Sequence, residues 1–238
     1  MLPKAAYGVV KGAGKPEGFE PNEYKVRLVP GETTDFDHED AYNITVTCQP
    51  SVLFGMTFAQ HPDRWTECMV TPAIKREILS TPGYPKPLNR PPVKRQHIAQ
   101  SSHGGLGVFA TVDLKVGDLI FSERAIMILS PKIYMPSNFP AHFTTFQMQQ
   151  AALCQKEKQI ELVFGRLYTE HKKAYMALWN SHKEDGSGPL LGIFRTNAFR
   201  VECYEDDEQD AYVGVWNEAS RFNHRKVYSL TQTPTTDR

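Results

Sequence analysis

Two short segments of this chain carry residue types suited to holding a small polar ligand. The first, HGGLGVFA, begins at His103, and its glycines let a ligand approach the main chain closely. The second, GVWNEASRFNH, ends at Asn223 and His224, and an asparagine side chain offers both a donor and an acceptor. These residue types indicate a site that binds and orients a ligand.

The glycine segment also fits a nucleotide-binding pattern. Gly105, Gly107 and Ala110 match the G-x-G-x-x-G/A dinucleotide fingerprint. That fingerprint requires a helix to follow, because the helix N-terminus binds the pyrophosphate. Here Thr111 to Leu119 predicts a continuing strand and a turn, which argues against a dinucleotide site. A glycine-rich connection between two strands stays open as the plain interpretation.

Three stretches of the chain follow one another in a distinctive order. They are GGLGVFATVDLKVGDLIFSERAIMI, FRTNAF and YVGVWNEASRFNH. In this order they resemble the SET domain of protein lysine methyltransferases, and the likeness spans about residues 96 to 224. The resemblance implies S-adenosylmethionine as the cofactor, a lysine-bearing protein as the partner, and a helical insert between the two halves of the domain.

Within that family, the chain is most similar to the SET-and-MYND branch. The insert of that branch contains a cysteine-rich zinc module, whereas the only cysteine in the insert here is Cys154. We therefore expect no zinc. The resemblance places the backbone of the glycine turn at the methionine end of the cofactor, an asparagine of the Thr-Asn-Ala-Phe stretch facing it, and the Asn-His pair at its amino group and adenine. The cofactor-binding residues so implied are Gly105, Leu106, Gly107, Asn197, Asn223 and His224.

Plainer interpretations of these residues stay open. Asn197 could cap a turn, and Asn223 with His224 could simply end a strand at the surface. Glu123 is expected to be structural, since a carboxylate beside Arg124 at a strand end more often forms a local ion pair than performs acid–base chemistry.

The family motif departs from its pattern after His224. In SET domains the strand runs on into Ser-Cys-x-Pro-Asn and later supplies a tyrosine to the lysine channel. Here Arg225 and Lys226 follow, and Tyr228 is a poor substitute for that tyrosine. Two cations would also oppose a sulfonium cofactor. We expect a truncated SET domain of impaired activity, with no catalytic residue assigned; the alternative is a non-catalytic, SET-derived protein-interaction module.

The predicted fold class is α+β: a β-rich SET-like fold with a helical insert, incomplete at the C-terminus. The predicted divisions are an N-terminal extension over 1–95, which ends in a proline-rich linker over about 82–95, a SET-like domain over 96–224, an insert over about 140–185, and an unstructured tail over 225–238. Apolar residues recur at helical spacing over roughly 143 to 182. Strands are predicted at Tyr42–Cys48, Val52–Phe58, HIAQ, GVFATVDL, DLIFSERAIMIL, FRTNAFRVE and YVGVWNEASRF, with a short helix at Ala73–Leu79.

Composition limits the partners and the compartment. The 27 basic and 27 acidic residues balance, so no overall field favours nucleic acid. The four cysteines are widely spaced and are interpreted as reduced thiols. No signal peptide and no membrane-spanning segment is recognisable, so we expect an intracellular protein of the nucleus or the cytoplasm that does not contact a membrane. The oligomeric state stays open.

Overall fold

Strands and helices both contribute to the part of the chain that the computed structural model describes. The described residues are 14–22, 27–28, 44–51, 59–102, 105–133, 139–201 and 212–222. The fold is of the α+β class, as predicted. No helix within these ranges is long and apolar enough to cross a membrane.

The strands form two sheets. Their bounds are β1 Arg27–Leu28, β2 Thr45–Gln49, β3 Thr66–Val70, β4 Gln96–Gln100, β5 Leu106–Ala110, β6 Met127–Leu129, β7 Phe199–Val201 and β8 Tyr212–Val215. Six of them form one mixed sheet in the spatial order β1, β2, β3, β6, β8, β7. The pairs β1–β2 and β3–β6 are parallel, and the other neighbours are antiparallel. The strands β4 and β5 form a separate antiparallel pair, the small sheet.

Four α-helices lie within the described ranges. Their bounds are α1 Pro72–Ser80, α2 Thr145–Arg166, α3 Thr169–Met176 and α4 Pro189–Asn197. Helix α2 begins with a capping box, in which the Thr144 side chain accepts from the Gln147 amide and the Gln147 side chain accepts from the Thr144 amide. Helices α2 and α3 confirm the helical interval predicted for residues 143 to 182, and α1 confirms the predicted short helix.

One core joins the large sheet to the helices. Helix α2 packs on β3 and on α4, and apolar side chains from these elements bury one another. The most completely buried members are Val46, Ile126, Met127, Leu129, Ile160, Val163, Tyr175, Leu191 and Val215. The large sheet therefore packs one face against helices α2, α3 and α4, which fixes where the ends of α4 and β8 lie.

The strand predicted for FRTNAFRVE is wrong in its first half. Residues Phe194 to Asn197 belong to α4, and only Phe199–Val201 forms a strand. These residues form a helix and not a strand for two reasons. Pro189 occupies the first turn of α4, and the Glu157 carboxylate of α2 accepts from the amides of Leu190 and Leu191. Neither feature is visible in the apolar pattern that suggested a strand.

Three other predicted strands are shorter than the pattern suggests. In GVFATVDL the strand ends at Ala110, so Thr111 does not continue it. In DLIFSERAIMIL only Met127–Leu129 forms a strand, and in YVGVWNEASRF the strand ends at Val215 and a 3-10 turn follows at Ala219–Arg221. The predicted strand at Val52–Phe58 lies outside the described residues. The irregular parts that replace these strands contain the polar contacts of the candidate site.

The proline-rich segment over 82–95 has no helix or strand before β4, and its main chain is bound to two neighbouring loops. The Leu88 amide donates to Asp63 Oδ2 at 2.9 Å, and Arg124 Nη2 donates to the Lys86 carbonyl at 2.9 Å. Strands on both sides of this segment belong to the same large sheet, because β3 pairs with β6. Residues 66–70 therefore share their sheet with residues 127–129.

Candidate functional site

The glycine turn leads into the small sheet. Gly105 has φ +70, a backbone conformation that favours glycine, and its carbonyl accepts from the Ser101 amide at 2.9 Å. Apart from Gly105 and its two chain neighbours, no described residue has a heavy atom within 4 Å of the position that a Cβ on Gly105 would occupy. Gly107 is buried opposite Ala99, and the Leu106 side chain is exposed. At Gly105 the main chain is thus open, as close approach of a ligand requires.

The last described part of the chain, residues Trp216–Phe222, is named the 216–222 segment. It leaves β8, forms the 3-10 turn and packs against β5 of the small sheet. Within it, the Trp216 amide donates to Ser220 Oγ at 3.0 Å. Phe222 stacks on Phe121, with ring centroids 5.7 Å apart and planes inclined by 5°. The segment is therefore folded onto its neighbours up to its last described residue.

Asn197 ends α4 beside this segment. Its Nδ2 donates to the Trp179 carbonyl at 2.6 Å and to the Ile193 carbonyl at 2.7 Å, and its own carbonyl accepts from Ser220 Oγ at 2.9 Å. Both amide hydrogens are thus engaged by main chain. A ligand could therefore form a hydrogen bond with the Asn197 side chain only at Oδ1. The Thr-Asn-Ala-Phe stretch is therefore connected to the 216–222 segment by the hydrogen bond from the Ser220 hydroxyl to the Asn197 carbonyl.

Ser220 bridges two of the three matched stretches, so its loss should be measurable. Replacing Ser220 with alanine removes one acceptor and one donor, and we expect the free energy of unfolding to fall by about 1–2 kcal/mol. Urea denaturation measures this change. Ser80→Ala is the control, because the exposed Ser80 hydroxyl bonds only to the Glu77 carbonyl of its own helix; equal losses in both variants would contradict the bridge.

Glu123 holds the start of the 3-10 turn. Its Oε1 accepts from the amides of Glu218 at 2.8 Å and Ala219 at 2.7 Å. The predicted ion pair with Arg124 is therefore wrong, because the Arg124 guanidinium donates to the Lys86 carbonyl instead. Burial is the main cause that raises the pKa of Glu123 to about 7, against the lowering effect of its two amide bonds.

Gln96 of β4 adds a further tie to the same segment. Its Nε2 donates to the carboxylate of Glu218, and the Gln96 side chain is buried. Sequence reasoning did not single out Gln96, Ser220 or the amide bonds of Glu123. The partners of Glu123 lie far along the chain, so no local spacing reveals them. The one available signal was a polar residue in an inward position of a predicted strand, as at Gln96.

The third of the three stretches is thus in contact with both of the others. The 216–222 segment touches β5, which follows Gly105, and bonds to the carbonyl of Asn197. The two remaining predicted site residues, Asn223 and His224, lie outside the described residues.

In the described ranges, no three His, Cys, Asp or Glu side chains are grouped so that they could hold a metal ion.

Three comparisons with known proteins were also made. No family model, no curated protein and no solved structure matches this chain at a significant level.

Proposed function

We propose that this chain is a SET-type protein that binds S-adenosylmethionine and is related to the protein-lysine N-methyltransferases. The observation that supports this most is the contact among the three stretches that resemble the family. They are separated along the chain by the helical insert and by residues 202–211, yet the 216–222 segment contacts both β5 and the end of α4. If the likeness of these three short stretches to the family were due to chance, there would be no reason for them to lie close together in the fold.

The proposed roles divide between main chain and side chains. Gly105 offers main chain that a ligand can approach, and Asn223 and His224 continue directly from the 216–222 segment. Gly107 is buried in the β4–β5 pair, so its part in this proposal is to hold the strand that follows the turn. Asn197 contributes through its Oδ1, since its amide hydrogens hold α4 and the loop before it. S-adenosylmethionine supplies a sulfonium methyl group, and the protein's part in such chemistry is binding, alignment and exclusion of water.

The partner in this proposal is a protein lysine side chain. Its amine must lose a proton before it can accept a methyl group, because the unperturbed pKa of lysine is about 10.4. We assign no catalytic residue for this step. Cofactor binding and methyl transfer are therefore separate proposals, and a chain that binds the cofactor need not transfer its methyl group at an appreciable rate.

A non-catalytic interaction module is the second candidate. The observation in its favour is a group of exposed apolar side chains on and beside the small sheet. They are Val93, Leu106, Phe109, Val112, Val116 and Leu119. This candidate predicts binding of a protein partner without binding of S-adenosylmethionine.

Calorimetric titration with S-adenosylmethionine separates the two candidates. We expect saturable binding by the full chain, and a loss of about tenfold or more in affinity when Asn223 and His224 are both replaced with alanine, since hydrogen bonds to a charged ligand are lost. Lys158→Gln is the control, because Lys158 is exposed and pairs only with Glu161 of the same helix. Absence of binding by the unaltered chain would overturn the proposal and favour the interaction module.

Methyl transfer is tested in a second experiment. Lysine-bearing peptides and proteins are incubated with cofactor that carries an isotopically labelled methyl group, and the label on lysine is followed by mass spectrometry. Cofactor binding without transfer supports a SET-type binding protein that is not an active enzyme. Transfer that persists in the Asn223→Ala, His224→Ala double variant contradicts the assigned site.

A further inference from the structure

We propose that Glu123 is the positioning residue of the candidate site: its carboxyl group holds the 216–222 segment in place beside the small sheet, and this docking is linked to the binding of a proton. The relevance to cofactor binding rests on the proposed function. The docking itself is a property of the free protein and is tested without any ligand.

The first step is the hydrogen bonding of the turn. The amides of Glu218 and Ala219 open the 3-10 turn, and such amides have no partner within the turn itself. One oxygen of Glu123 accepts both, at 2.8 and 2.7 Å. Glu123 lies in the irregular stretch before β6, which is paired at the centre of the large sheet. The carboxyl group therefore connects the 216–222 segment to the stretch that leads into a central strand of the large sheet.

The second step concerns the other ties of the segment. Glu218 accepts from Gln96 of the small sheet, Ser220 donates to Asn197 at the end of α4, and Phe222 stacks on Phe121. These two hydrogen bonds and the ring contact involve three different parts of the fold. All three depend on the path of the main chain of the 216–222 segment, and Glu123 fixes that path. Loss of the two amide bonds should therefore loosen the whole segment that leads to Asn223.

The third step is the charge around Glu123. Glu218, in the segment itself, is a like charge that raises the pKa of Glu123, and Arg64, in the loop before β3, is an opposite charge that lowers it. Burial outweighs the two amide hydrogen bonds and the charge of Arg64, which lower the pKa of Glu123, and brings that pKa to about 7. An undocked segment leaves the carboxyl group in water, with a pKa near the ordinary 4.5. Docking therefore favours the protonated form and weakens as the pH rises through 7.

Amide hydrogen exchange in the free protein, measured by NMR and corrected for intrinsic rates, tests this positioning. In Glu123→Ala the amides of Glu218 and Ala219 are expected to exchange about tenfold faster than in the wild type, because both lose their acceptor. Glu123→Gln keeps an acceptor oxygen without a charge, so it should restore protection. Unchanged protection in the alanine variant would overturn the proposal.

The pH profile supplies a readout that a merely structural contact does not produce. From pH 6 to pH 8 the wild-type docking equilibrium should weaken about tenfold, as follows from a pKa of about 7 when docked, whereas Glu123→Gln should show no such change. The matched control is Glu67→Gln. Glu67 is also a buried carboxylate with a raised pKa, but its partner is Arg166 and not the 216–222 segment. A wild-type profile as flat as that of Glu123→Gln overturns the proton linkage, even where the alanine variant fails to fold.

Cofactor titration then separates this inference from the proposed function. If the wild type binds S-adenosylmethionine, Glu123→Ala should bind it about tenfold more weakly, and Glu123→Gln should bind it like the wild type at pH 6. Equal binding by the wild type and the alanine variant overturns the inference alone. No binding by the wild type, with the exchange results as expected, overturns the proposed function and leaves the positioning of the segment supported.

Discussion

Replacing Glu157 with alanine is expected to lower the free energy of unfolding by about 3 kcal/mol, because it leaves two buried amides without an acceptor. The carboxylate reaches across from α2, where its Oε1 accepts from Leu190 at 3.0 Å and its Oε2 from Leu191 at 2.6 Å. Urea denaturation measures the loss. The control is Glu161→Ala in the same helix, whose exposed partner is Lys158, and we expect a change there of roughly 0.5 kcal/mol or less.

Gly188 provides a second route to the same contacts. A Cβ at Gly188 would overlap the Glu157 carboxyl group, so Gly188→Ala should displace that group and break its two amide bonds. Both variants then act through one interaction. We expect the double variant to be little less stable than either single variant, which a double-mutant cycle detects as strong coupling. Additive losses would show that Gly188 acts on something other than Glu157.

Opposing responses to pH are expected from His171 and Glu123. Burial is the main cause that lowers the pKa of His171 to about 4, from 6.5. The unfolded chain therefore binds the proton first on acidification, and stability falls between pH 6.5 and 4. For Glu123 the pKa is raised to about 7, so the pH dependence of stability has the opposite sign. Its contribution to the free energy of unfolding is full below pH 4.5 and is lost as the pH rises to 7. Each contribution is about 3 kcal/mol, since one pKa unit corresponds to about 1.4 kcal/mol.

Single variants should reveal these two contributions, which partly cancel in the wild type. We expect His171→Phe to gain stability relative to the wild type as the pH falls from 6.5 to 4. We expect Glu123→Gln to gain relative to the wild type as the pH rises from 4.5 to 7. Denaturation curves at half-unit pH steps measure both differences. Parallel pH profiles for the wild type and either variant would exclude that residue as a source of the dependence.

Local patterns in the sequence predicted helices α2 and α3 well. The periodicity of Ile160, Val163 and Leu167 reflects one face of α2 that is buried against the sheet, so the pattern and the packing have the same cause. The start of α2 at Thr144 likewise depends only on Thr144 and Gln147, which are neighbours along the chain. Where the determining contacts are local, the prediction was confirmed.

Distant contacts account for what the sequence did not reveal. Helix α4 depends on Glu157, which lies on another element, and the same residues looked like a strand when considered alone. Glu123 was expected to pair with Arg124, yet it binds amides of residues 218 and 219. The sequence also gave no indication that β3 would lie beside β6. For the site, the glycine turn and the 216–222 segment were recognised by resemblance, and the residues that join them were not.

The pairing of β3 with β6 has a consequence for biosynthesis. Cys68 of β3 meets Ile128 of β6, whose other neighbour is Gly214 of β8, so strands made early and late lie side by side. On a ribosome, β2 and β3 emerge as a pair, and the main-chain hydrogen-bonding groups along the free edge of β3 have no neighbour until β6 has been synthesised. Pairing over such distances is slow, because long loops must close first. Nascent chains that stall between these strands should therefore engage chaperones, and recombinant yield should depend on the temperature and speed of translation.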